Sequence, residues 1–383
     1  MIALARWGSP RLVGDWALAL SITAPIFIFA QLKLRYVVAT DVNDEFAWAD
    51  YIRLRVRSMF IAMLVLLVIV LVAYREAIGL LMLLLALGKG VEGICDLRYG
   101  RQQRDHNLKG VSVALVRRAL VILLMGGATL WVTRSAIWTA FAVLLAQVTG
   151  LALDLHGAPG TAGLAWRNTS HRMATLARRT LPLGFASAIG SLQASVPRFA
   201  LEAHASREAV GVFSLLAYPY LLGGLVVTAV AGVALPRLAG LAVAGAWGAF
   251  RRAVATMCIG GAALGAAGVL VALLLGGPVL HVLYPSSYGA FTREFLWVSI
   301  AAGCSWSYLF LGTALEALRS YRYQPWIFGI STVVIAAAAA SLVPGHGIVG
   351  ATWAMIAGSA VEASLLALAL IGALVRKSTL STA

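Results

Sequence analysis

The chain has 383 residues, of which 61% are hydrophobic and only 12% are charged, and its mean hydropathy is +0.88. Soluble globular proteins are about 45–50% apolar and about 25% charged, so this composition excludes a water-soluble protein and indicates an integral membrane protein. The net charge of +15 would suit a nucleic-acid-binding protein, but the positions of the basic residues give it another explanation.

Long apolar stretches predict the membrane spans. A spanning helix needs about 20 mostly apolar residues, and lipid excludes irregular backbone. About eleven stretches meet this requirement: 14–32, 58–74, 77–97, 119–133, 136–154, 181–199, 209–235, 253–275, 295–317, 325–343 and 348–372. We therefore expect an all-α polytopic membrane protein.

Basic residues are concentrated in alternate loops between these spans. About three quarters of the 30 Lys and Arg residues lie in one set of loops, which the positive-inside rule assigns to the cytoplasm. This asymmetry predicts a cytoplasmic C-terminus and an N-terminus of this chain outside. The high positive charge is then a topology signal, and no nucleic-acid partner is expected.

A weak internal repeat relates Leu4–Gly14 to Leu201–Gly211 at an offset of 197 residues. The matches include Ser9 with Ser206 and Gly14 with Gly211, and both stretches precede a long helix. Repeated halves are common in transporters. If the first span corresponds to the seventh, the sixth has no counterpart, so the first half is expected to lack its first helix.

The repeat predicts two pseudo-symmetric lobes. We predict an N-terminal lobe with five spans at 1–155 and a C-terminal lobe with six spans at 181–383. Residues 156–180 are rich in Gly, Arg and Ser and are predicted to form a cytoplasmic linker between the lobes.

The third span carries the most informative charges. Lys89, Glu92 and Asp96 occur at i, i+3 and i+7, so they share one helical face. Charges inside a bilayer are costly and usually face a polar cavity or one another. We favour a substrate cavity in which Lys89 meets an anion. A structural Lys89–Glu92 pair, with Asp96 reaching the cytoplasmic interface, is the alternative.

Polar residues in the second half supply further candidates. Gln193 and Arg198 lie in the proline-containing sixth span, where Arg198 could contact substrate or reach lipid headgroups. Tyr218 adjoins Pro219 in the seventh span and could contact a sugar, although core packing is the commoner role. Glu362 lies in the middle of the last span and is a candidate site for a coupling ion, or a group satisfied by one polar contact.

Several classes of site are missing from the sequence. It has no phosphate-binding loop, no dinucleotide fingerprint and no zinc-ligand cluster. Cys95, Cys258 and Cys304 are isolated in apolar stretches, which excludes a disulfide framework. No outer loop is long enough to form a catalytic domain, so we expect no enzyme activity, cofactor or metal. Gly261 and Gly265 have the spacing of a helix-packing face.

Three stretches carry a family resemblance. Residues 24–41 have Leu-Arg and Thr-Asp after the first span, and residues 89–118 follow the charged third span with Tyr-Gly and Gln. Residues 181–218 contain Pro-Leu-Gly, then Pro-Arg, then Val-Gly-aromatic-Ser, and Arg237 follows Pro236. These features resemble the polysaccharide-transporter family, the Wzx-type O-antigen flippases of the multidrug/oligosaccharidyl-lipid/polysaccharide exporter (MOP) superfamily. This chain departs from that family by lacking its first helix.

The resemblance implies a flippase for a polyprenyl-pyrophosphate-linked oligosaccharide, the repeat unit of an O-antigen, capsule or exopolysaccharide. The substrate would cross the bacterial inner membrane by alternating access between the two lobes. Lys89, Arg198 and Arg237 would contact phosphate, and membrane lipid, a glycan polymerase and glycosyltransferases of the same pathway would be partners. A MATE-like exporter of drugs or small solutes is the alternative, and a membrane glycan polymerase or transferase is a less favoured one.

Overall fold

The computed structural model describes residues 1–41, 45–74, 76–156, 170–318, 320 and 323–382. This part of the chain is almost wholly helical, which confirms the predicted all-α membrane fold. The helices are α1 (Ile2–Trp7), α2 (Pro10–Gln31), α3 (Leu34–Thr40), α4 (Trp48–Ala73), α5 (Ala77–Arg104), α6 (Leu108–Thr133), α7 (Ala136–His156), α8 (Ser170–His204), α9 (Arg207–Leu216), α10 (Tyr218–Val243), α11 (Trp247–Leu283), α12 (Thr292–Ala317) and α13 (Gln324–Thr382).

Nine helical segments within the described residues are long and apolar enough to cross a membrane. Ten of the eleven predicted stretches each lie on one helix, and 209–235 is divided between α9 and α10, but the number of spans stays a prediction. Helix α13 contains the last two stretches, with one non-helical residue between them at Gly347 (φ 53°, ψ −125°). Helix α8 is long enough but carries Arg, Ser and Gln side chains and is not among the nine.

The chain divides into two compact units. Unit 1 comprises Met1–Gly14 and Gln193–Ala383, and unit 2 comprises Asp15–Leu192. The division falls inside α2 and inside α8, so both helices contribute residues to both units. Most of the predicted linker, 157–169, lies outside the described residues. The lobe boundaries at 155 and 181 therefore stay a prediction.

Residues matched by the repeat have matched roles at two helix starts. The Ser9 hydroxyl accepts a hydrogen bond from the Leu12 amide at 3.2 Å, just before α2. The Ser206 hydroxyl accepts one from the Ala209 amide at 3.1 Å, just before α9. Both are N-caps, which satisfy amides that have no partner within the helix. The same 197-residue offset separates the two caps.

The matched glycines also contact each other within unit 1. A methyl group on Gly14 would collide with the Arg207 carbonyl, and one on Gly211 would collide with the Pro10 carbonyl. The repeat converts one contact into the other. Gly14 of the first half corresponds to Gly211 of the second, and Pro10 corresponds to Arg207, so each half supplies a glycine to the carbonyl of the other half. An exchange of this kind is what a local two-fold axis produces. It supports the alignment of the first predicted span with the seventh.

Each unit has its own apolar core. In unit 2, buried Leu34 and Val38 of α3 belong to one cluster with Leu54 of α4 and Leu97 of α5. In unit 1, the largest cluster joins residues of α10, α11, α12 and α13. The packing role predicted for the Gly261/Gly265 spacing is confirmed, since a side chain at Gly265 would collide with the Gly303 backbone of α12.

Candidate functional site

Lys89 and Glu92 form an ion pair on α5. The Lys89 ammonium lies 2.8 Å from the Glu92 carboxylate, and the two side chains are 32% and 35% exposed. The pairing that the sequence offered as the alternative to a cavity role is therefore present. Both side chains stay about one third exposed, and the substrate role of Lys89 stays a prediction.

Asp96 faces a different set of partners, two turns along α5. Its carboxylate accepts a hydrogen bond from the Arg35 guanidinium at 3.0 Å and lies 3.8 Å from that of Arg55. Arg35 also donates to the Gln103 side chain at 3.1 Å. Asp96 is thus shared by two arginines that the sequence interpretation had used only as topology signals.

Arg55 is the least expected of these residues. Its side chain is 1% exposed, and none of its three guanidinium nitrogens has a hydrogen-bond partner. Removing a guanidinium from water costs several kcal/mol unless charges and hydrogen bonds compensate it. The sequence did contain a signal for a buried arginine. Arg53, Arg55 and Arg57 are alternate residues of one helix, so their side chains cannot all lie on the same water-facing side.

A second group of cations in unit 2 is satisfied internally. The Arg117 guanidinium pairs with the Asp154 carboxylate, which also accepts a hydrogen bond from the Tyr99 hydroxyl at 3.1 Å. The buried Arg118 donates to the side-chain oxygen of Gln147. These contacts join α5, α6 and α7, so the group has a structural role within unit 2.

In unit 1 the structure brings Gln193 and Glu362 together from α8 and α13. The Gln193 amide donates to the Glu362 carboxylate at 2.5 Å and to the Ser331 hydroxyl at 3.1 Å. The Ser331 hydroxyl lies 3.1 Å from the same carboxylate oxygen, and the Tyr308 hydroxyl lies close to the carboxylate. We call these four residues the Glu362 cluster.

The Glu362 side chain is only 6% exposed, and its hydrogen-bond partners among the described residues are all neutral. A carboxylate taken out of water is costly unless it is protonated or balanced by a cation. Three hydroxyl or amide groups around one carboxylate can therefore hold a proton or a small cation. Ser331 and Tyr308 were missed in the sequence because isolated Ser and Tyr residues are ordinary in membrane helices.

The network continues from the Glu362 cluster into α10 and α12. The Ser305 and Ser359 hydroxyls are 3.1 Å apart, and the Tyr308 hydroxyl lies close to both. Tyr220 lies close to Ser305 and stacks on Trp306, with ring centroids 6.0 Å apart. Polar groups from α8, α10, α12 and α13 thus form one connected set inside unit 1.

Three predicted site residues lie apart from this set. Arg198 donates to the Ser214 hydroxyl at 2.9 Å and to the Ala194 carbonyl at 2.8 Å, so it ties α8 to α9. Tyr218 begins α10 directly after the break that ends α9, at the predicted kink. Arg237 is exposed near the C-terminal end of α10. The described contacts do not join these three residues to one another or to Glu362.

Asp41, from the Thr-Asp pair of the first resembling stretch, contacts residues at the start of α4 and just before it. It accepts hydrogen bonds from the Glu45 amide at 2.9 Å, the Phe46 amide at 3.3 Å and the Tyr51 hydroxyl at 2.9 Å. Partial burial by itself raises the pKa of Asp41, but these hydrogen bonds outweigh burial and lower that pKa from its usual value.

Comparison with protein-family models finds no match. In sequence, the chain is 28% identical over 362 residues to the capsular polysaccharide biosynthesis protein CapF of Staphylococcus aureus, covering 92% of this chain and 89% of that protein. The chain is therefore similar over nearly its whole length to a protein named for polysaccharide biosynthesis.

Solved structures share the fold. The inward-facing form of a multidrug resistance MATE family transporter of the MOP superfamily aligns with a TM-score of 0.81 at 14% identity, over 100% of this chain and 94% of that one. The inward closed form of the lipid II flippase MurJ aligns with a TM-score of 0.68 at 10% identity, over 97% and 88%. The chain is a multi-pass membrane protein with this fold, and the predicted resemblance to the polysaccharide transporters of the MOP superfamily is confirmed.

Proposed function

We propose that this chain, with its MOP transporter fold, is a flippase for a polyprenyl-diphosphate-linked oligosaccharide. The observation that carries the proposal is the match over 92% of the chain to a protein named for capsular polysaccharide biosynthesis. The fold shared with a lipid II flippase supports it, because that structure is likewise named for moving a lipid.

The polar and charged side chains on the helices match the chemistry of such a substrate. Such a substrate carries a polar glycan and a charged diphosphate, neither of which can enter hydrocarbon unaided. Lys89 is 32% exposed and pairs with Glu92. A diphosphate would bind the Lys89 ammonium in place of the Glu92 carboxylate, so that a substrate ion pair replaces the internal one. Arg198 and Arg237 remain proposed phosphate contacts, and Gln193, Tyr218, Glu92 and Asp96 remain proposed polar contacts.

Uphill movement requires coupling to an ion, and the Glu362 cluster is the proposed coupling site. A buried carboxylate with neutral partners changes its charge balance when a proton or monovalent cation binds. Binding there would alter the packing of α8 against α13, which is the kind of local change that biases a two-state transporter.

The cellular setting follows from the same proposal. The chain would lie in the bacterial inner membrane with its C-terminus in the cytoplasm and the N-terminus of this chain outside. Flipping makes and breaks no covalent bond, so the protein would act without catalysis. Glycosyltransferases would supply its substrate, and a glycan polymerase would consume the product.

A MATE-like exporter of drugs or small solutes is the second candidate. The observation that favours it is the higher TM-score to the MATE transporter, 0.81 against 0.68 for the lipid II flippase. Shared fold does not decide between cargoes, because a fold carries many functions.

Reconstitution separates the candidates. The purified full chain is placed in proteoliposomes with a fluorescent polyprenyl-diphosphate disaccharide, and arrival of the label in the opposite leaflet is measured by its quenching with an impermeant reductant. Ethidium transport and glycan extension are measured in parallel. We expect movement of the lipid-linked disaccharide alone. Ethidium transport without movement of the lipid would establish the exporter instead, and extension of the glycan would establish a transferase.

A further inference from the structure

The corner between α2 and α3 contains a pocket from which the proposed function uses only Asp96. Leu32 and Lys33 both have positive φ, 50° and 51°, a left-handed backbone conformation that residues other than glycine adopt infrequently. Buried Leu32 and Leu34 hold this turn in place. The turn directs the chain back across α5, so that Arg35 reaches Asp96.

We call this cavity the corner pocket. Its volume is about 430 Å³, within the range of roughly 300–1,000 Å³ typical of small-ligand sites. The lining side chains come from four helices and the turn: Ile28, Gln31, Lys33, Arg35, Tyr36, Asp96, Gln103 and Ser187. Most of the lining is polar or charged, although the surrounding helices are apolar.

Cations outnumber anions around the corner pocket. Lys33 and Arg35 line it, and Arg55, which does not line it, lies 3.8 Å from the Asp96 carboxylate. Asp96 is the only carboxylate that lines the pocket or pairs with these arginines among the described residues. Three cations facing one anion leave about two positive charges to be balanced by something that enters.

Arg55 makes the need for a further anion specific. Its guanidinium is buried, has no hydrogen-bond partner, and contacts its one carboxylate at ion-pair distance only. Buried polar groups are nearly always hydrogen-bonded, so this unpaired guanidinium leaves a positive charge that Asp96 balances only in part. Within the pocket, the Arg35 guanidinium can match phosphate oxygens, and the side-chain amides of Gln31 and Gln103 can add neutral donors.

We propose that the corner pocket binds a diphosphate or phosphate headgroup, with Lys33 and Arg35 contacting its oxygens and Arg55 adding charge from behind. Asp96 then holds the two arginines in position while the pocket is empty and competes with the ligand for them. The headgroup comes from the lipid-linked substrate, which rests on the proposed function, or from an anionic phospholipid of the same leaflet.

Binding to the purified full chain in neutral detergent tests the proposal. The probe is fluorescent undecaprenyl diphosphate, and the competitors are inorganic pyrophosphate and phosphatidylglycerol. We expect Arg35→Gln and Lys33→Gln each to weaken binding about tenfold, as the loss of one charge-assisted contact does. Asp96→Asn removes the competing anion and is expected to tighten binding several-fold. Arg55→Met is expected to weaken it, because it removes the buried charge while keeping an apolar side chain of similar length.

Matched controls are Lys109→Gln and Arg251→Gln, which neutralise exposed cations that lie outside the pocket. Both are expected to bind within twofold of the wild type. Lys33 is exposed, so Lys33→Gln keeps the test decisive if Arg55→Met fails to fold. Equal loss in the controls and the pocket variants would overturn the proposal, because it would mean that net charge alone attracts the probe. So would weaker binding by Asp96→Asn.

The competitors identify the source of the headgroup. Displacement by pyrophosphate and not by phosphatidylglycerol supports the lipid-linked substrate as the ligand, and equal displacement by both supports a phospholipid. No displacement by either overturns the pocket, since binding would then depend on the hydrocarbon tail. Pocket binding without transport of the disaccharide contradicts the flippase alone, whereas transport with unaltered binding in all pocket variants contradicts the pocket alone.

Discussion

Carboxylates in the membrane helices of the two units have different partners. In unit 2, the carboxylates Asp96, Glu92 and Asp154 each lie against an arginine or lysine. In unit 1, the buried Glu362 carboxylate lies among amide and hydroxyl groups. Both arrangements satisfy the same physical requirement, that a charge removed from water must be compensated, but they leave different species able to bind.

That difference suggests a division of roles. Paired cations in unit 2 can exchange an internal carboxylate for the phosphate of a substrate. A carboxylate with neutral partners in unit 1 can exchange nothing except a proton or a cation. The comparison would fail if substrate binding depended on Glu362, or if ion coupling depended on Lys89.

The largest effect is expected from Glu362→Gln. The substitution keeps the shape of the side chain but removes the charge that would bind the coupling ion, so ion-driven transport should fall to the level of protein-free vesicles. Glu208→Gln is the matched control, because it makes the same change at an exposed position in the first turn of α9. Transport by Glu362→Gln that still responds fully to an ion gradient would remove the coupling role.

Lys89→Ala should reduce transport about tenfold, because one charge-assisted contact to the diphosphate is lost. Lys89→Arg keeps the charge in a different shape and should retain part of the activity. Initial transport rates at equal membrane expression measure both. A normal rate for Lys89→Ala would leave the Lys89–Glu92 pair with a purely structural role.

The glycine contact of the repeat gives a stability prediction. Gly14→Ala and Gly211→Ala each place a methyl group against a backbone carbonyl, and overpacking of this kind costs about 1–3 kcal/mol. The two variants should lower the melting temperature in detergent by similar amounts, since their contacts are exchanged by the repeat.

Gly240→Ala is the control for the glycine contact, because a methyl group there meets open space. It should leave the melting temperature unchanged or raise it slightly, as alanine favours helix by about 1 kcal/mol. Unequal effects at Gly14 and Gly211 would argue against a local two-fold relation between them.

Asp41→Asn should give the smallest effect. The pKa of Asp41 is lower in the folded protein, so the stability that its carboxylate contributes is present above the usual aspartate pKa and disappears as pH falls through the folded value. Loss of the charged acceptor should therefore lower thermal stability at neutral pH, and the difference from wild type should shrink in acid. A difference that grew on acidification would contradict the hydrogen-bonded role of Asp41.

The fold was accessible from the sequence because lipid imposes simple rules. Apolar length located the helices, and the repeat at an offset of 197 predicted the correspondence that Ser9 and Ser206 then showed as N-caps. The break inside α13 was also accessible. A proline at 344 and glycines at 345 and 347 favour a break between the last two predicted spans, and two helical parts of α13 meet there in a kink at Gly347.

The sites were harder to predict because they depend on contacts between distant segments. The pairing of Lys89 with Glu92 follows from helical spacing and was anticipated. The contact between Gln193 and Glu362 spans 169 positions and requires the packing of α8 on α13, so the sequence named both residues without joining them. Arg35 and Arg55 were interpreted as topology signals because a positive charge near a span end has the same pattern whether it faces water or a buried carboxylate.

The central claim is that the protein moves a lipid-linked glycan and couples this movement to an ion through Glu362. It is tested most directly by the rate at which a fluorescent polyprenyl-diphosphate disaccharide crosses proteoliposomes, with and without an imposed proton or sodium gradient. We predict that one gradient accelerates movement by the wild-type protein and by Glu208→Gln but has no effect on Glu362→Gln. Failure of the wild-type protein to move the disaccharide above the protein-free rate under either gradient would contradict the account.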